Sequence, residues 1–133
     1  PSQRKERAMD PTSRSFEVLL VEDDAIIRMD LAMCLSDLGH SVREAADADK
    51  AVALMSDGID FDLLVTDIDM PGSMDGLALA AHVRNLQAGC HILIISGGTY
   101  PASTDLPLGC LFLRKPLLES DLETALSKFT TTH

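Results

Sequence analysis

Leu-Leu-Val-Thr-Asp-Ile-Asp, residues 63–69, opens with a run that is apolar or β-branched at every position and then meets a carboxylate. A strand with one wet face would alternate polar and apolar residues. An unbroken run of this length reads as a strand covered on both faces. The same character recurs in VLLV at 18–21, ILII at 92–95 and LFL at 111–113, and more weakly in SVRE at 41–44. Between these runs the apolar spacing becomes helical. Ile27, Leu31, Cys34, Leu35 and Leu38 mark one face of a first helix, which Gly39 stops. Asp47 can cap a second helix whose inner face carries Ala51, Leu54 and Met55. Leu77, Leu79, Ala80 and Val83 mark a third. Leu118, Leu122, Ala125, Leu126 and Phe129 mark the last, with Ser120 and Asp121 near its start. Strand and helix alternate, so the chain is predicted to form an α/β domain on a five-stranded parallel sheet.

One stretch breaks the alternation. Residues 97–110, GGTYPASTDLPLGC, fall where a fourth helix is due before the fifth strand, yet they include Pro101 and Pro107. A proline inside a helix costs about 3 kcal/mol, so this stretch is expected to be a loop or a single short turn. Residues 1–15 have no apolar periodicity and are expected to be a flexible tail. The domain is expected over 16–129, with 130–133 as a short C-terminal tail and no output module after it.

Composition narrows the function. A chain of 133 residues with 46% apolar content fits one soluble domain. No apolar run approaches a membrane span, and the polar start lacks the apolar core of a secretion signal. Cys34, Cys90 and Cys110 are odd in number and form no CxxC pair, which fits a reduced, cytoplasmic protein with structural thiols. The net charge of −10 argues against direct binding to nucleic acid, and no membrane association is expected. Residues 1–15 hold four basic and two acidic side chains, so the acidity resides in the domain.

In open α/β sheets, sites form beyond the carboxyl ends of the strands. Glu22, Asp23 and Asp24 follow the first run, Asp67 and Asp69 the third, Ser96 and Gly97 the fourth, and Lys115 and Pro116 the fifth. Clustered carboxylates repel one another unless a cation sits among them. Hard oxygen ligands suit Mg²⁺. A carboxylate beside a cation can attack phosphorus, and phosphoryl transfer needs its equatorial oxygens neutralised. Lys115 would supply charge, Ser96 a hydroxyl donor, and Gly97 room for the group to approach. Each residue also has a plainer role available: Asp24 is expected to cap the first helix, and Lys115 could be a solvated charge. His40, His82, His91 and His133 lack ligand spacing and are expected to be structural or surface residues. The chain has no Walker-type phosphate loop and no nucleophile elbow.

VLLVEDD at 18–24, LLVTDIDMPGSMDG at 63–76, LIISGG at 93–98 and LFLRKPL at 111–117 together resemble the receiver domain of bacterial two-component response regulators. The resemblance spans 16–129. It implies a doubly wound, flavodoxin-like (CheY-like) fold with Asp67 as phosphoacceptor. It implies Mg²⁺ held by Glu22, Asp23, Asp67 and the backbone carbonyl of Asp69. It also implies that Ser96 bonds the phosphoryl group, that Lys115 pairs with it, that the Lys115–Pro116 peptide is cis, and that Ser96 and Phe112 form the switch pair. The donor would be a histidine kinase or histidine phosphotransfer protein contacting the first and last helices. The output would be a downstream protein partner or simple drainage of phosphoryl groups. By the same resemblance the chain is not an enzyme in the ordinary sense, but a phosphoacceptor that assists its own phosphorylation and dephosphorylation.

The segment 97–110 departs from that family and puts the Ser96–Phe112 switch in question. Asp69 is expected to influence how fast water removes the phosphoryl group. Asp67-Ile68-Asp69 also resembles the DxD of haloacid dehalogenase-type phosphatases. That family, however, places its nucleophile after the first core strand and has Thr or Val where Pro71 stands, and it leaves Glu22 and Asp23 without a role. A phosphorylation-independent binding module is the other alternative, and it would need none of Glu22, Asp23, Asp67, Ser96 and Lys115.

Overall fold

The computed structural model describes residues 15–70, 74–97 and 109–131. Five strands appear: β1 (Glu17–Val21), β2 (Ser41–Ala45), β3 (Leu63–Asp67), β4 (His91–Ser96) and β5 (Leu111–Arg114). Four helices accompany them: α1 (Ala25–Asp37), α2 (Ala48–Ser56), α3 (Gly76–Leu86) and α4 (Glu119–Thr131). All strand pairs are parallel, and the sheet order is β2-β1-β3-β4-β5. The chain winds outward from β1 in one direction and then the other, so the topology reverses between β1 and β3. The expected α/β class, strand count and doubly wound form are all observed.

Strand alternation divides the core in two. Val18, Leu20, Leu63, Val65, Leu93 and Ile95 face α1 and α4, packing with Leu31, Leu35, Leu122 and Phe129. Leu19, Val21, Leu64, Ile92 and Ile94 face α2 and α3, packing with Ala51, Leu79 and Val83. Burial on both faces is why β1, β3 and β4 read as unbroken apolar runs, while the edge strand β2 is partly exposed and reads more weakly. Four aspartates shape the helix starts. Asp24 accepts from the Ile26 and Ile27 N–H groups, Asp47 from Lys50, Asp75 from Ala78, and Asp121 from Leu118. Gly39 and Gly58 take positive φ of 99° and 86° just past α1 and α2, where a side chain would be strained.

Two expectations need correction. Every strand extends at least one residue beyond its apolar run, so Asp67 and Ser96 are the last residues of β3 and β4 rather than the first after them. Backbone pairing continues regardless of side-chain polarity, with Asp67 opposite Ile95 and Ser96 opposite Arg114. Leu118 is not part of the inner face of the last helix. It precedes α4 and is 68% exposed, its N–H tied to Asp121. The expected loop at 97–110 lies largely outside the described residues, as do the end segments 1–14 and 132–133. His40 is structural as expected: it is buried and its Nδ1 accepts the Phe16 N–H at 3.0 Å. The cysteines are free thiols, and burial pushes Cys90 up to about 12, so it is an unreactive core residue.

Candidate functional site

The alternation that builds the core also builds the site. Val18 and Leu20 face α1 and α4, and two residues on in the same register comes Glu22. Leu63 and Val65 lead likewise to Asp67, Leu93 and Ile95 to Gly97, and Leu111 and Leu113 to Lys115. Four parallel strands therefore deliver two carboxylates, a glycine and a lysine to one edge of the sheet.

Glu22 is 1% exposed and each of its polar atoms is engaged. Its N–H donates to the Ala45 carbonyl at 3.2 Å, and its carbonyl accepts from Arg28 Nη1 at 2.8 Å. Its Oε2 accepts from the Asp24 N–H at 3.0 Å, and its Oε1 from Lys115 Nζ at 2.7 Å. Asp67 is 6% exposed. Lys115 Nζ lies 3.3 Å from its Oδ2, and the Asp69 N–H lies 3.4 Å from its Oδ1. One ammonium thus bridges both buried carboxylates. Asp23 is exposed, and ligand oxygens of Glu22, Asp23 and Asp67 all lie within 4.8 Å of one another.

Burial drives the electrostatics. It raises the carboxyl pKa of Glu22, with the Asp67 charge adding to the rise and the Lys115 hydrogen bond opposing it. Asp67 is raised for the same first reason, again opposed by Lys115. Burial would lower Lys115, yet its bond to Glu22 and the charges of Asp67 and Glu22 hold it above its usual value. A cation would relieve the carboxylate repulsion. Three carboxylates, one of them open to solvent, form a hard-oxygen set suited to a divalent ion that retains waters, so the residues fit Mg²⁺.

Ser96 is buried at the end of β4, and its carbonyl accepts the Lys115 N–H at 2.9 Å, which ties the lysine's backbone to the neighbouring strand. Ser96 continues the register of Ile92 and Ile94, the sheet face opposite to that of Glu22, Asp67 and Lys115. Phe112 is half-buried opposite Ile94 and packs with the α2–α3 half of the core. The Lys115–Pro116 peptide is cis, as the resemblance implied. A largely apolar cavity of about 510 Å³ adjoins Lys115, walled by Ile26, Ile27, Leu31, Gly97, Pro116 and Leu117, with the charged Asp30 also on its wall.

Three contributors escaped the sequence reading. Thr66 is fully buried and its hydroxyl donates to the Asp67 carbonyl at 3.0 Å. Gly76 brings the start of α3 against the Asp67 backbone: a Cβ there would overlap the Asp67 carbonyl oxygen and sit 2.7 Å from its carbon. Arg28 holds the Glu22 carbonyl. The signals were present in Gly76 at the first turn of a helix and in Arg28 as the lone base within the acidic stretch 22–30.

Fold and site together define a doubly wound α/β domain with an acidic, lysine-bridged pocket at its carboxyl edge. The chain belongs to the response regulator receiver domain family, which matches residues 18–127. It is 34% identical over 127 residues to the sensor kinase CckA of Brucella abortus, covering 92% of this chain and 13% of that one. A response regulator receiver protein from Sinorhizobium medicae is similar in structure, with TM-score 0.80 and 28% identity over 89% of this chain and 96% of the other. The Vibrio cholerae chemotaxis protein CheY4 matches with TM-score 0.74 and 28% identity, over 85% of this chain and 97% of its own. The chain spans only 11–13% of the length of the first curated relatives it matches. Among the described residues, no helix is long and apolar enough to cross a membrane.

Proposed function

We propose that Asp67 accepts a phosphoryl group from the phosphohistidine of a histidine kinase or histidine phosphotransfer protein, in a Mg²⁺-dependent reaction. The observation that carries this reading is the single lysine ammonium bridging buried Glu22 and Asp67, with Asp23 beside them. Glu22, Asp23, Asp67 and the Asp69 carbonyl would hold the ion. When bound, it supplies positive charge that offsets the carboxylates and the incoming phosphoryl oxygens. An Asp67 carboxylate oxygen attacks phosphorus in line. The O–P bond forms as the P–N bond breaks, and the donor imidazole keeps the electron pair. Lys115, already 3.3 Å from Asp67, neutralises a phosphoryl oxygen, and Ser96 donates its hydroxyl to another. Water later hydrolyses the acyl phosphate and regenerates Asp67. The domain thus assists its own phosphorylation and dephosphorylation without turning over a separate substrate.

The donor docks over α1 and α4. There the largely apolar cavity beside Lys115 and the exposed side chains of Ile26, Met29 and Met33 offer a greasy surface adjoining the lysine that pairs with Asp67. We assign residues 16–129 to the receiver domain, signalling through a partner protein or draining phosphoryl groups from the kinase, with Ser96 and Phe112 as the candidate switch pair.

Acetyl phosphate with and without Mg²⁺, read by intact mass on wild type and Asp67→Ala, tests this. One added phosphoryl group on the wild type alone, and only with Mg²⁺, is expected. No addition from acetyl phosphate or from a panel of phosphorylated kinases would favour the phosphorylation-independent binding module.

A further inference from the structure

Arg28 lies outside the carboxylate set, yet it touches the backbone that aims it. Its Nη1 donates to the Glu22 carbonyl at 2.8 Å, and its Nε lies 3.3 Å from Glu44 Oε1. That carbonyl belongs to the peptide joining Glu22 to Asp23, the only covalent link between two of the candidate ligands. Glu44 sits on β2 opposite Leu20, so the guanidinium spans α1, the end of β1 and β2. The two residues differ in how they are held. Glu22 is fixed by four hydrogen bonds, whereas the Asp23 side chain is exposed and has no hydrogen-bond partner among the described residues. The direction of the Asp23 carboxylate therefore rests on the orientation of the 22–23 peptide. Arg28 is the side chain that holds that peptide's oxygen.

Building on the Mg²⁺ reading above, we propose that Arg28, braced by Glu44, is a positioning residue for the metal site: it locks the Glu22–Asp23 peptide so that Asp23 points toward Asp67. The fork geometry of the guanidinium matters because it bonds a carbonyl and a carboxylate at once. Partners that orient metal ligands without touching the metal change affinity by about 10–100-fold when removed.

The test is Mg²⁺ affinity of the full chain, by calorimetry and by backbone amide shifts at residues 22–24 and 67–69. Arg28→Met keeps the aliphatic stem and removes the fork, and is expected to weaken Mg²⁺ binding about tenfold. Glu44→Gln should weaken it by a smaller factor, and Arg28→Lys, which keeps the charge without the fork, should fall between Arg28→Met and wild type. Phosphoryl uptake from acetyl phosphate should need correspondingly more Mg²⁺ for half its maximal rate, while the rate at saturation returns to the wild-type value. A merely structural role would lower Tm and leave the affinity of the folded protein unchanged. Wild-type affinity in both Arg28→Met and Glu44→Gln overturns the inference alone. A wild type that binds no Mg²⁺ overturns the metal assignment and this inference with it. Should Arg28→Met fail to fold, Glu44→Gln decides by the same criterion.

Discussion

Gly76→Ala sets two physical effects against each other at the strand that carries Asp67. Gly76 is the first residue of α3, after the Asp75 cap, and helix propensity alone would reward alanine there by up to about 1 kcal/mol. Sterics oppose it. The added Cβ would overlap the Asp67 carbonyl oxygen and lie 2.7 Å from Asp67 C and 2.8 Å from Ile68 Cα. Carbon atoms rest at about 3.5–4.0 Å, so the carbon contacts alone demand a separation of roughly 0.8 Å, and clearing the Asp67 carbonyl oxygen demands more. The neighbouring atoms are backbone in a buried strand, not the end of a flexible side chain. Overpacking of this kind costs about 1–3 kcal/mol. The separation also strains the 2.9 Å bond from the Gly76 N–H to the Ile68 carbonyl, a further loss of about 1 kcal/mol. With propensity subtracted, the net destabilisation is about 2 kcal/mol, roughly 6–10 °C in Tm for a domain of this size. Urea and thermal unfolding would measure it, with Gly89→Ala as control because nothing lies within 4 Å of a Cβ built there. A Gly76→Ala protein as stable as wild type would refute the reasoning and show that the start of α3 does not constrain Asp67.

Other perturbations read the electrostatics and the caps. Asp67→Asn should raise metal-free stability at pH 7 and abolish stabilisation by Mg²⁺, both visible in thermal melts with and without the ion. The sign follows from the upward shifts of Asp67 and Glu22: a carboxyl raised in the folded state favours folding when protonated, so its contribution falls as pH rises from the ordinary carboxylate range through the raised value. The metal-free wild type should therefore lose stability over that span, and Asp67→Asn should flatten the loss. Lys115→Met removes the ammonium bridging two buried carboxylates and should cost about 1–3 kcal/mol without Mg²⁺, with part of the loss recovered at saturating Mg²⁺. Asp24→Ala strips the α1 cap that serves the Ile26 and Ile27 N–H groups and should cost about 1 kcal/mol in urea unfolding. Asp69→Ala should lengthen the lifetime of phosphorylated Asp67, followed by intact mass after donor removal; an unchanged lifetime would discard the role of Asp69 in hydrolysis.

The sheet was legible because β1, β3 and β4 are buried on both faces, which leaves apolar runs that no amphipathic helix would show; the partly exposed edge strands β2 and β5 gave shorter or weaker runs. The helix starts were legible where a cap aspartate precedes apolar spacing, as at Asp24 and Asp47. Strand ends were not, because hydrogen-bond pairing carries β3 through Asp67 and β4 through Ser96 without any apolar cue. The charged residues that gather at the carboxyl edge could be read from their positions at or just after the strand ends. Arg28 and Gly76 stood out only as a lone base in an acidic stretch and a glycine at a helix start, and their roles could not be read because they act on backbone: one grips a carbonyl, the other leaves space against one. Only coordinates reveal which carbonyl a long side chain reaches.

On the proposed phosphoacceptor reading, the register of Ser96 would separate two jobs at one edge of the sheet. Glu22, Asp67 and Lys115 continue the register of residues that face α1 and α4, so charge accumulates on that side. Ser96 continues the register of Ile92 and Ile94 toward α2 and α3, the half of the core where Phe112 packs. A phosphoryl group on Asp67 would meet the ammonium from one side of the sheet and would draw the Ser96 hydroxyl from the other. Charge neutralisation can then proceed with Lys115 already in place, while any displacement of Ser96 is felt first among the side chains packed with Phe112. The Ser96 carbonyl, bonded to the Lys115 N–H at 2.9 Å, couples the two sides through backbone. Ser96→Ala should therefore spare Mg²⁺ affinity and slow phosphoryl uptake, whereas Lys115→Met should alter both. Equal loss of Mg²⁺ affinity in the two variants would show that the sheet does not divide the work in this way.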